Sequence, residues 1–305
     1  MHVRFISRKL AGLLPSRNPF RIRFPNFFRG EDKGVAEAGP EPVSEPVTGG
    51  SYHPAMTSIV LTPWWRHRRP ASARAGEAPG SAVPTAILDW RHERVQELLA
   101  DARSAASGTG ERSLLLAAHR LISERVRAVY ALDDAQSASR TLARRRGSCS
   151  QRLAVLEAVA RAAGIPTRVR GLLVDGSFWY PRFPRLRHLV PDTVVLAWPE
   201  FRLGEEWVGV SELYAPLGSL GEANPAGFTN TGSQTLFEAL ASTAVDWDGS
   251  TCGADGCSSF DLSAVVRRDL GRFSSRDELF AAHGQTLCRP ARIAGGALLG
   301  RRSAA

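Results

Sequence analysis

Apolar residues recur at helical spacing along the first half of the ordered sequence. Leu88, Val95, Leu98 and Leu99 predict a helix over about Asp89–Ala106, ended by Gly108 and Gly110. Leu115, Ala118, Leu121, Ile122 and Val126 predict a second over about Glu111–Tyr130, with His119 inside it as a packed or half-exposed residue. Asp133–Arg145 reads as a short helix or turn. Leu153, Leu156, Ala160 and Ala163 then fall four, seven, eleven and fourteen residues after Cys149, which puts the thiol at the top of a buried helical stripe. Gly164 and Pro166 stop that helix.

The period changes after Pro166. Thr167–Val174 alternates as a strand, Asp175-Gly176-Ser177 is a turn, and Phe178–Pro184 is an aromatic, proline-containing loop. His188 precedes the apolar run Thr193–Trp198, and Trp207–Val210 is a further short strand. Farther on, Gln234–Thr243 and Ser263–Arg272 read as helices around the loop Asp246–Ser259, and Ser275–Cys288 carries His283 at a helix end. Helices followed by strands without βαβ alternation predict an α+β fold.

Composition separates a core from its leader. Residues 1–30 hold seven of the basic residues and no acid, interleaved with Phe5, Phe20, Phe24, Phe27 and Phe28. The net charge of +9 is thus concentrated there, and the remaining 275 residues carry +2. A nearly neutral core argues against a nucleic-acid partner. Pro15, Pro19 and Pro25 interrupt any long amphipathic helix, so a disordered tail is expected over 1–55, passing into a Pro/Gly-rich linker. A poorly ordered leader is expected over 56–86, with a short strand at Thr57–Pro63 and Met56 as an alternative start. The expected divisions downstream are a core over 87–220, a C-terminal helical extension over 221–294 and a frayed tail over 295–305. With no run of 18 apolar residues, no membrane span is expected. Four cysteines make no disulfide scaffold, and without a signal-peptide pattern a reduced, cytoplasmic setting fits.

Candidate chemistry gathers at Arg144-Arg145-Arg146-Gly147-Ser148-Cys149. A thiol at a helix N-terminus beside three arginines lies where thiolate is favoured. Spacing alone also admits a buried structural cysteine. A nucleophile needs a base, and His188 is the histidine at the mouth of a strand downstream. The run ending Arg161-Ala162-Ala163-Gly164-Ile165-Pro166-Thr167-Arg168, with Gly147-Ser148-Cys149 before it, resembles the core of the transglutaminase-like superfamily over about Glu111–Tyr214. That resemblance implies a papain-like fold, with a central helix carrying the cysteine packed on an antiparallel sheet. It implies Cys149 as nucleophile, His188 as base, and acyl transfer to water or an amine from a peptide or amide substrate through a thioester. Phe178, Trp179 and Tyr180 would wall a groove or pack on the core. The strand Trp207–Val210 resembles the one bearing the third triad member, but Ser211 stands where the family places Asp, with Glu212 next. The alternative is therefore a catalytically degenerate member serving as a binding or scaffold module. No cofactor is implied. Cys252, Cys257, His283 and Cys288 are zinc-capable residue types, but their spacing is unexceptional and no metal site is expected.

Overall fold

The structure, a computed structural model, describes residues 78–252, 258–300 and 302–304. The expectations for 1–77, and for Cys257, lie outside these residues. Helix α1 spans Glu93–Ala105, with the His92 ring accepting from the Arg94 N–H, and α2 spans Glu111–Arg125. The chain then leaves the helix earlier than periodicity predicts, because Arg127–Ala128 (β1) pairs with Arg146–Gly147 (β2) in a short parallel bridge. Between them α3, Ala138–Arg144, is capped by the Ser137 hydroxyl and ends where Arg145 turns left-handed at φ 49°.

Helix α4, Cys149–Ala162, is the centre of the molecule, and every residue from Gln151 to Arg161 on it is buried. A capping box opens it: the Gln151 N–H donates to the Ser148 hydroxyl and the Ser148 N–H donates to the Gln151 amide oxygen, both at 3.2 Å. Such a cap contributes about 1 kcal/mol and fixes where the first turn begins. Gly164, at φ +87°, closes the other end: its N–H donates to the Arg161 carbonyl and that of Ile165 to Ala160, a Schellman arrangement. Both ends of the cysteine helix are therefore fixed by local sequence.

From this turn β3, Thr167–Asp175, leads into the sheet with β4, Thr193–Leu203, β5, Glu206–Gly209, and β6, Val266–Phe273. The order is β5-β4-β3-β6, antiparallel throughout. A helix-and-antiparallel-sheet α+β fold is thus present. Two short helices, α5 (Leu217–Ala223) and α6 (Leu236–Ala239), follow β5, α7 (Arg276–His283) packs on the strands, and α8 spans Arg289–Leu299. Two expectations need correction. Ser263–Arg272 is not a helix but mostly β6, which pairs with β3, so the region after 220 contributes a strand to the same sheet as the core. Residues 289–299 form α8, and the Ala304 N–H donates to the Ala128 carbonyl, so this end of the chain is held by pairing where fraying was expected.

One large apolar cluster joins α1, α2 and α4 to Leu172, Val174, Leu196 and Trp198 of the sheet. A smaller one gathers the alternate residues Val169, Val195 and Ala197 with Phe273 and Leu279 of α7. The alternation is that of strands whose two faces are both covered. Across β3 and β4, paired Arg168 and Glu200 make a buried ion pair of 2.5 Å.

Candidate functional site

Cys149 is the first residue of α4, half-buried, and packs against the large apolar cluster. Its position at the positive end of the helix follows from the Ser148–Gln151 cap. Polar groups lie on two flanks of the first turn. On one, the Ser150 hydroxyl accepts from the Arg276 guanidinium at 3.0 Å, and Arg276 donates through Nε to Glu157 at 2.5 Å and through a terminal nitrogen to the Ala197 carbonyl at 3.2 Å. Arg276 and Glu157 are fully buried. Burial raises the Glu157 pKa, and Arg276 pulls it back. The carboxyl of Asp134 completes this flank. Burial pushes it up to about 6 against the opposing pull of Ser150 and Arg276.

On the other flank Arg152, also fully buried, pairs with Glu238 and lies over the Phe237 ring at 4.2 Å. The His119 ring stacks on the same Phe237 at 4.1 Å. Its Nε2 is 2.8 Å from the Phe237 carbonyl and its Nδ1 is 2.8 Å from the Tyr214 hydroxyl. A carbonyl can only accept, so Nε2 carries the proton and Nδ1 accepts from the tyrosine. Burial, foremost, lowers the His119 pKa to about 4. This imidazole is neutral with both nitrogens engaged, as a packed residue should be.

The side chains expected to activate Cys149 lie in turns that flank the strands. His188 is exposed in the 3-10 turn Arg187–Leu189, outside the sheet and five residues before β4 begins. Among the described residues no hydrogen bond joins the thiol to His188. Ser211 is buried in the 3-10 turn Val210–Glu212 just past β5, while Glu212 is exposed and its carbonyl accepts from Arg112. The expected strand there has already ended, at Gly209. Phe178 packs in the core against Trp179, Phe228 and Trp247, so of the two readings of the aromatic loop it takes the packing one.

The length of α4 sets the level of the thiol along the sheet. At 1.5 Å per residue α4 is about 20 Å long, and at about 3.3 Å per residue β3 covers that rise in roughly six residues from Thr167. By rise alone the chain returns to about the level of Cys149 near Leu173, which pairs with Val195. Around that point β4 reads Val194-Val195-Leu196-Ala197-Trp198, and Val195 to Trp198 are buried. Cys149 packs against the apolar cluster that includes Leu196 and Trp198 of this run. The run is visible in the sequence as a strand, but its consequence needs the β3–β4 register. Among the described residues no group of three or more His, Cys, Asp or Glu could hold a metal, and no helix is long and apolar enough to cross a membrane.

Residues 102–211 match the family model of the transglutaminase-like superfamily, a span that contains Cys149 and ends at Ser211. A solved structure of a candidate cysteine protease from Cytophaga hutchinsonii is similar at 19% identity and a TM-score of 0.30, over 42% of this chain and 39% of that one. The chain therefore spans about two fifths of that protein's length. No curated protein matches. Cys149 lies within the matched span, at the start of its helix. Residues 102–211, about a third of the chain, are thus similar to the core of the transglutaminase-like superfamily.

Proposed function

We propose that this core works as a binding module, one that keeps the cysteine helix and lacks the groups that would make its thiol an acyl-transfer nucleophile. The observation that supports this reading is that Cys149 packs against the apolar cluster holding Leu196 and Trp198 of β4. A cysteine nucleophile needs a base within hydrogen-bond reach and a polar group that orients the base. Here β4 supplies neither, Ser211 carries no charge to steady an imidazolium, and His119 is held in the core by Tyr214 and Phe237. A peptide bound along the sheet edge would be recognised and not cleaved.

A second reading has one observation in its favour. Cys149 is half-buried and His188 exposed, so a substrate-driven folding-in of the segment before β4 would give the thiol a base. The thiolate would then attack an amide carbonyl, expel the amine as it takes the His188 proton, and pass the acyl group from the thioester to water or an amine. Ser211 or Glu212 would orient the imidazole. Incubating the full chain with glutamine-containing peptides, with and without a primary amine, separates the two. The binding reading expects ammonia and acyl products at the level given by Cys149→Ala. Turnover lost in both Cys149→Ala and His188→Ala would overturn it in favour of the second.

A further inference from the structure

A cavity of about 510 Å³ opens between the start of α4 and helix α8, and the Cys149 thiol does not line it. Its walls carry four guanidinium groups, Arg144, Arg146, Arg289 and Arg292, against the single carboxylate of Asp133, a net of three positive charges. These arginines come from three places in the chain: the end of α3, β2, and the first turn of α8. The fold has thus converged like charges on one concave space.

Their partners are sparse. Arg144 donates to the Gln136 amide oxygen, and Arg292 donates to the Leu287 carbonyl at 3.0 Å while standing 3.8 Å from Asp133. The side chains of Arg146 and Arg289 make no hydrogen bond or ion pair to the described residues. Partial desolvation, followed by repulsion from Arg140 and Arg146, lowers the Arg144 pKa. Gathered cations of this kind are stabilised by an anion, and among the described residues lining the cavity Asp133 is the one carboxylate.

We infer that this cavity binds a diphosphate-bearing ligand. The volume is within the range of small-ligand sites, roughly 300–1,000 Å³. A phosphomonoester brings only about −1.5 to −2 charges near neutral pH, too few for the net charge of the walls. A diphosphate brings about three, together with enough oxygens for paired contacts with several planar guanidinium forks. Gln151 also lines the cavity and holds the α4 cap, so ligand binding here would be felt at the cysteine helix. Such binding is independent of the binding-module reading and of the state of the thiol.

Isothermal titration of the full chain with inorganic pyrophosphate, orthophosphate and ADP tests it, using Arg146→Gln, Arg289→Gln and the distant exposed Arg94→Gln. Pyrophosphate should bind more tightly than orthophosphate. Each of the two cavity variants should weaken it roughly tenfold, the loss of one strong charge-assisted contact, while Arg94→Gln leaves it unchanged. Circular dichroism of each variant confirms that the fold persists. ADP binding like pyrophosphate would mean that the diphosphate alone is read; tighter ADP binding would identify a nucleotide ligand. No heat with pyrophosphate, equal affinity for orthophosphate, or equal weakening by Arg94→Gln would overturn the assignment.

Discussion

The buried imidazole of His119 makes the stability of the core depend on pH with a calculable sign. Its pKa is lowered from 6.5 to about 4, chiefly by burial. Between those values the unfolded chain holds a proton that the folded chain does not, so stability rises with pH across this window and is lost as pH falls from 6.5 toward 4. A folded pKa one pH unit below the unfolded one corresponds to about 1.4 kcal/mol, and integrating from pH 7 to pH 4 gives a loss of about 3 kcal/mol. Asp134, raised to about 6, acts the other way, because its folded state holds the extra proton between its ordinary value and about 6. The wild-type profile alone would therefore conceal part of the effect. His119→Gln removes the titrating ring and retains an amide that can donate to the Phe237 carbonyl. Urea unfolding of both proteins across pH 4–7 isolates the contribution of the ring: wild type should be the more stable at pH 7, and its advantage should shrink by about 3 kcal/mol at pH 4. A wild-type advantage that stays constant with pH would refute the claim that burial keeps this ring neutral.

Other expectations follow from buried contacts. Arg276→Met leaves the Glu157 carboxylate buried without its partner and should cost about 3–5 kcal/mol in urea unfolding, whereas adding Glu157→Leu should recover much of that loss. In Gly176→Ala the new methyl would run into the Pro191 carbonyl, where the Gly176 N–H now donates to Asp192 at 2.8 Å. Thermal denaturation should show a loss of about 1–3 kcal/mol, and hydrogen exchange should rise across the segment carrying His188.

The cysteine helix is legible in the sequence because its determinants are local: the stripe from Leu153 to Ala163 and the stop at Gly164 and Pro166 need no partner to be recognised. His119 is legible as packed because Leu115 and Ile122, four residues before and three after it, share its face. Strand β6 is not, because Leu262, Val265, Val266 and Leu270 repeat at helical offsets while its charged residues suit the exposed edge of a sheet. The Arg276–Glu157 pair joins residues 119 apart, beyond any local pattern. The surroundings of the thiol are hidden for a related reason. His188 is prominent in sequence, but which β4 residue stands beside Cys149 is set by the return of the chain through α4 and β3. Only the register reveals the apolar stretch there.

Whether Cys149 has a base is tested directly by the pH dependence of its alkylation by iodoacetamide. Peptide-resolved mass spectrometry follows Cys149 apart from the other thiols, in wild type and in His188→Ala. With no base beside the thiol, the two proteins should give the same pH profile. A wild-type profile with enhanced reactivity near or below neutral pH, lost in His188→Ala, would contradict it and establish a cysteine–histidine pair.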